Sequence, residues 1–326
     1  MEKNLIFNIL SYAVRAPSTH NSQPWLFKIN ETNDTVSVFY DEKLKLPEAD
    51  NEGRDLYISI GCMLENFKIA AEHFGVKAES IISIDEDIKH ISDISLKKIN
   101  KVFDDETIFN SIKNRVNARG EFKKDENIIE NVSIIIKPTI DQLNKDEIYL
   151  TLLNKKEDIY KMAELTQKAM NEVYRHSSFR REISHWMNSN ISNKKEGIPG
   201  YALKLPLFFS LIIPLLIRYF NIGKILGKLN FKSISSAPLI FVLSSDNTKE
   251  KWIKVGEYAE RLMLSLQCNG FQTSIYVGSI EIGDLYKKVK EITGLEKRPQ
   301  FLFAVGHIKG NHKITPRHKL EDKIIN

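Results

Sequence analysis

Helical and strand-like periodicities follow one another along this chain without the strand–helix–strand alternation of a doubly wound sheet, which restricts it to an α+β arrangement. Leu5, Ile6, Ile9, Leu10, Ala13 and Val14 form one helical stripe. Pro17 ends it, because the residue before a proline is pushed out of the helical region. Two β-branched and aromatic runs, Leu26–Asn30 and Val36–Asp41, flank the polar turn Glu31–Thr35 and predict a hairpin. Ile60, Met63, Leu64, Phe67 and Phe74 keep helical spacing up to Gly75, and Ala259, Leu262, Met263 and Leu266 do so up to Gly270, each glycine standing where a helix cap belongs. Further strands are predicted at Ser80–Ile84, Ser95–Val102, Pro238–Ser244 and Gln300–Gly306, and further helices near Ile108–Ile112 and Asp284–Ile292. A first unit thus closes at about residue 105 and a second occupies 106–326.

Several chemistries are disfavoured. The net charge of +5 comes from 47 basic and 42 acidic residues that are largely interleaved, too mild a bias for a nucleic-acid partner but compatible with a local anion site. No GxGxxG follows a strand, and Gly223–Lys228 lacks the spacing of a phosphate loop. There is no GxSxG elbow and no HExxH, and His307, His312 and His318 fall on no common helix face, so no metal site is expected. Cys62 and Cys268 sit in apolar helical patterns and read as two buried thiols. The N-terminal stripe lacks a signal-peptide cleavage site, and a cytoplasmic location is the expectation. Leu205–Ile217 is intensely apolar but is broken by Pro206 and Pro214 and is shorter than a membrane span of about 20 residues. It is read as a buried or lid-like insertion at about 196–230, without a membrane span, with peripheral membrane contact as the alternative.

The strongest local signal is Ala16–Trp25, APSTHNSQPW. A proline ends a helix there, and small hydroxyl and amide side chains follow, exposing backbone N–H groups in one turn. Such a turn suits a flat heteroaromatic ligand. Spacing alone leaves open an ordinary capped turn with Trp25 in the core.

Pro-Ser-x-x-Asn-x-Gln-Pro-Trp, placed after a helix and before a strand, resembles the FMN-contacting segment of the nitroreductase family. Arg115, Asn117, Arg119 and Phe122 resemble the family's basic FMN signature, here about a hundred residues after the turn instead of before it, with Asn117 in place of the usual small hydroxyl. That displacement is similar to the Acg-like subgroup, in which two nitroreductase-like halves are fused into an intramolecular pseudo-dimer with mixed central sheets flanked by helices. Phe179–Trp186, Glu196–Gly200 and the Thr315–Arg317 triplet extend the resemblance.

The resemblance implies FMN as cofactor, with the turn supplied by the first half and the basic signature by the second. Pro17, Ser18, Thr19 and Asn21 then meet the pyrimidine edge, Arg115 and Arg317 the phosphate, Arg119 the pyrimidine carbonyl, and Tyr276, Val277 and Gly278 the other face of the ring. Arg54 reads as an ion-pair partner. No catalytic acid or base stands out, as expected where the cofactor carries the chemistry. The implied activity is reduction of a nitroaromatic, quinone or similar acceptor by NAD(P)H through the flavin, in a monomer or weak homodimer. The same subgroup resemblance implies an alternative, an FMN-sequestering protein whose insertion covers the ring.

Overall fold

The computed structural model of the chain describes residues 1–99, 106–125 and 127–325. The first stripe forms helix α1 (Lys3–Ala13), with Ile6, Ile9, Leu10 and Ala13 buried. Strict alternation then produces the antiparallel hairpin β1 (Trp25–Asn30) and β2 (Thr35–Tyr40), whose facing pairs Trp25–Tyr40 and Phe27–Val38 are buried on one side. Helix α2 (Arg54–His73) follows, then β3 (Val76–Asp85) and β4 (His90–Lys98), giving an antiparallel sheet of order β1-β2-β4-β3. The strand expected at 95–102 is therefore shifted to His90–Lys98, where Ile91, Ile94 and Leu96 are buried; 100–102 and the end of the first unit at 105 lie outside the described residues.

Beyond the first sheet come α3 (Glu106–Asn114), α4 (Ile128–Leu143), β5 (Tyr149–Leu153), α5 (Lys156–Val173) and α6 (Ser177–Trp186). The two-residue strands β6 (Met187–Asn188) and β7 (Ile198–Pro199) lead to α7 (Leu207–Tyr219) and α8 (Gly223–Ser235). The chain finishes with β8 (Leu239–Ser245), α9 (Lys249–Cys268), β9 (Gln272–Ile275), α10 (Gly278–Glu281), α11 (Leu285–Thr293) and β10 (Arg298–Gly306). Its sheet, also antiparallel, has the order β5-β8-β10-β9.

The two sheets share one plan. Replacing β1, β2, β4 and β3 by β5, β8, β10 and β9 turns one order into the other, and a 20-residue helix joins the equivalent strands in each, α2 between β2 and β3 and α9 between β8 and β9. These helices cross at Gly61 and Gly256, where a Cβ on Gly61 would lie 2.9 Å from the Gly256 Cα and overlap the Ile253 carbonyl oxygen. Only glycine permits that approach. One core spans both sheets, with Trp25, Met63 and Phe67 in the same cluster as Phe241, Leu262, Met263 and Phe303.

Two expectations are corrected. Cys62 is buried, but Cys268 is exposed, because it lies in the last turn of α9 beyond the sheet. The run at 205–217 is not buried: within α7 only Ser210 and Ile217 are, while Leu207, Phe208, Phe209, Leu211 and Leu215 are exposed, since the helix lies on the surface against α6.

Candidate functional site

The turn between α1 and β1 is strained and heavily braced. His20, Asn21 and Gln23 all have positive φ (53°, 56° and 53°), a conformation that side chains with a Cβ avoid unless their surroundings enforce it. The bracing comes from distant chain. Gln23, fully buried, donates through Nε2 to the carbonyls of Asn21 (3.2 Å) and Lys195 (2.7 Å) and accepts through Oε1 from the His318 N–H (2.9 Å). Asn21 donates through Nδ2 to the carbonyls of Lys195 and Pro316 (both 3.1 Å). Ser18 Oγ accepts the Gln23 N–H at 2.9 Å, and the Lys323 ammonium donates to the Gln23 carbonyl at 2.7 Å. Trp25 is in the core. The backbone N–H groups of Ser18 and Thr19 donate to no protein acceptor among the described residues.

On one side the turn meets a guanidinium cluster. Arg317 donates through Nη1 to Asn21 Oδ1 (2.7 Å) and through Nη2 to the Arg15 carbonyl (3.2 Å). Arg15 reaches the Lys113 carbonyl at 3.4 Å, and Arg115, just beyond α3, donates through Nε to Glu260 Oε1 of α9 at 3.1 Å. Burial, with Arg115 and Arg15 as neighbouring like charges, lowers the Arg317 pKa to about 9. Glu260 is the buried carboxyl that offsets the cluster, and burial raises its own pKa against the pull of Arg115 and Arg317. The Nε atoms of Arg15 and Arg317 are buried without a hydrogen-bond partner. Three guanidiniums thus stand against one carboxyl, with two donors unmet, an excess of buried positive charge that an anion with several acceptor oxygens would offset.

On its other side the turn meets α2 and α10. Thr19 Oγ1 donates to Asp55 Oδ2 at 2.9 Å, and Asp55 shares a cluster with Asp50 and Glu281, their oxygens within 4.8 Å of one another. Arg54 pairs with Glu281, as its ion-pair reading expects. Asp50 accepts the N–H groups of Asp55 and Leu56 (3.0 and 2.8 Å) at the start of α2. Burial, reinforced by Asp55, raises the Asp50 pKa to about 7 and that of Glu281 well above the usual carboxylate range. Burial also lowers the His20 pKa to about 4, against an opposing effect of Asp55, and its Nδ1 has no partner.

The segment following Arg115 runs along β9. The Ala118 N–H donates to the Thr273 carbonyl (2.9 Å), and Asn117 Oδ1 accepts the Ile275 N–H (3.0 Å). Arg119 lies over the Tyr276 ring, 4.8 Å from its centroid, and the Tyr276 hydroxyl bonds Ser233 Oγ at 2.6 Å. Val277 and Gly278 lead into α10, which carries Glu281 toward Asp55. The structure therefore joins Asn21, Arg115 and Arg317 on one side, and Thr19 with the 276–278 segment through Asp55 and Glu281 on the other. Pro17 opens the turn, and Asn117 spends its amide oxygen on β9.

No family model matches the chain. A Mycobacterium tuberculosis (strain ATCC 25618 / H37Rv) protein named "Putative NAD(P)H nitroreductase acg" is 35% identical over 75 residues, 23% of this chain and 22% of that protein. Another from the same strain, "Putative NAD(P)H nitroreductase Rv3131", is 35% identical over 71 residues, 22% and 20%. The chain thus matches about a fifth of the length of these curated relatives. A crystal structure of a protein described as a putative nitroreductase from Anabaena variabilis overlays 94% of this chain and 88% of its own, with a TM-score of 0.54 at 10% identity. The chain has the nitroreductase fold.

Within this nitroreductase fold, sequence reasoning missed Arg15, His20, Asp55, Glu260 and Glu281. Arg15 stands directly before the turn, yet a basic residue at a helix C-terminus is ordinary, since it complements the helix dipole. Glu260 lies on the helical stripe of α9 with no local mark of its role.

Proposed function

We propose that this chain is an FMN-dependent oxidoreductase of nitroreductase type, reducing a nitroaromatic, quinone or similar acceptor with NAD(P)H. The observation that carries the reading is the cluster of Arg15, Arg115 and Arg317 beside the strained Pro17–Trp25 turn, with two buried Nε donors unmet. FMN's phosphate bears close to two negative charges and several acceptor oxygens, which fits that excess of guanidinium. Arg115 and Arg317 hold the phosphate with Arg15 beside them. Pro17, Ser18, Thr19 and Asn21 present donors and acceptors to the pyrimidine edge. Arg119 favours negative charge at the pyrimidine carbonyl, Asn117 fixes the Arg115–Arg119 segment to β9, and Tyr276, Val277 and Gly278 line the other face. Bound flavin supplies the hydride and electron chemistry, so the protein's task is to position the ring and exclude water. The halves divide at 105/106, and one chain completes one site, as a monomer or weak homodimer.

One observation favours a second reading, a flavin kept covered. Lys195 closes on Asn21 and Gln23, Tyr201 reaches the Ile314 carbonyl (3.3 Å), and Lys204 reaches the Lys309 carbonyl (2.7 Å), so the chain from 195 to 204 is fastened across the site. An absorption spectrum and stopped-flow reduction test both readings. Purified protein is expected to be yellow, and bleaching by NADH or NADPH supports the reductase. Bleaching by dithionite alone supports sequestration. Colourless protein that ignores added FMN overturns both.

A further inference from the structure

Helices α7 and α8 carry more apolar side chain than the rest of the protein covers. On α7, Phe208, Leu211, Leu215 and Tyr219 fall three, four and four residues apart on one stripe that faces solvent, at 68%, 48%, 59% and 68% exposure, while Ser210 and Ile217 are packed. On α8, besides Ser233 and Ile234, the packed positions are Gly223 and Gly227, where a Cβ would lie 2.7 Å from the Tyr174 Cβ and 3.1 Å from the Gln167 carbonyl oxygen, while Ile225 and Leu229 face solvent at 63% and 60%. A helix that served only the protein core would leave no such apolar stripe in water.

The charge around this face has one sign. Between Glu196 and Asp246 there is no acidic residue, although the chain as a whole has one in about eight. The same stretch carries Lys204, Arg218, Lys224, Lys228 and Lys232. Lys232 pairs with Glu121 and Lys204 is engaged by the Lys309 carbonyl, but Arg218, Lys224 and Lys228 have no carboxylate partner among the described residues, and the two lysines flank Ile225 and Leu229.

We propose that the α7–α8 hairpin docks this protein on the surface of an anionic phospholipid bilayer. Exposed aromatic and aliphatic side chains enter the headgroup–acyl boundary while Arg218, Lys224 and Lys228 meet the lipid phosphates. The helices lie in the membrane plane. At 13 residues α7 is about 20 Å long against a hydrocarbon thickness of about 30 Å, α8 leaves it at 120°, and no single described helix is long and apolar enough to cross. A second copy of the chain suits the face less well, because a two-fold contact would set these cations against themselves with no acid between them.

The test is flotation of the full-length protein, with its flavin if it carries one, on vesicles of phosphatidylcholine alone or with roughly one-third phosphatidylglycerol. The protein is expected to float with the anionic vesicles at low salt, at least about tenfold more weakly with the neutral ones, and to be released by added salt. Phe208→Ser with Leu215→Ser, or Lys224→Gln with Lys228→Gln, lowers binding about tenfold or more while thermal stability and flavin content stay unchanged, all four positions being exposed. Leu211→Trp reports insertion by a blue-shifted emission on anionic vesicles. The proposal is overturned if the wild type stays unbound at low salt, or if the serine pair floats as well as the wild type. It is also overturned if the wild type is a dimer that the serine pair dissociates and neither binds vesicles, which would make the face a self-association surface.

Discussion

Arg317 Nη1 donates to Asn21 Oδ1 at 2.7 Å across 296 positions of sequence, so one guanidinium both closes the strained turn and belongs to the basic cluster. If the cluster binds an anion as proposed, the conformation of the turn is coupled to its occupation, because an anion that draws Arg317 away frees Asn21 Oδ1.

Arg317→Ala and Arg115→Ala are each expected to weaken FMN binding by about 2 kcal/mol or more, roughly thirtyfold in Kd, as charge-assisted contacts are lost. Titration of the apoprotein by flavin fluorescence measures this. Affinities within threefold of wild type in both variants would remove the phosphate role.

Arg15→Gln separates the ligand role from the structural one. Taking one of three clustered cations away relieves repulsion on Arg317, so the apoprotein gains up to about 1 kcal/mol while FMN affinity falls about tenfold. Thermal denaturation with and without FMN should show the two shifts in opposite directions.

Gly61→Ala places a methyl group against the Gly256 Cα and the Ile253 carbonyl at the α2–α9 crossing. Backbone cannot yield there without separating the two helices, so a loss of about 3 kcal/mol or failure to fold is expected. Denaturant midpoints compare it with Ala70→Gly, elsewhere on α2, which costs about 1 kcal/mol from helix propensity, plus the methyl it leaves unfilled.

Folding stability carries two opposed acid responses. His20, with its pKa lowered to about 4, stays neutral in the fold and binds a proton on unfolding, so its contribution is lost as pH falls from about 6.5 to 4. Asp50, raised to about 7, holds its proton in the fold, so its contribution grows as pH falls from about 7 to 4. His20→Gln removes the first response. Between pH 7 and pH 4 the stability of the wild type should therefore fall relative to the variant by up to about 3 kcal/mol, read from urea midpoints. A constant difference across that window would mean that His20 is not buried neutral.

The α1 stripe, the hairpin after it, the glycine-capped helices and the strands at 239–245 and 298–306 were legible because each is written in local periodicity. The helices at 128–143, 156–173 and 177–186 went unread; the first carries Pro138 and the second has charged side chains at seven of its 18 positions, which obscures the apolar period.

The dense Ala16–Trp25 pattern by itself marked the strained turn between α1 and β1, because such turns restrict residue types position by position. Only the tertiary structure decided what faces it. Arg15 and Glu260 join Arg115 and Arg317, and Asp55 and Glu281 stand behind Thr19, through contacts between segments up to three hundred residues apart that no local spacing encodes. The surface position of α7 was decided there too, since composition records how apolar a helix is but not which neighbours remain to cover it.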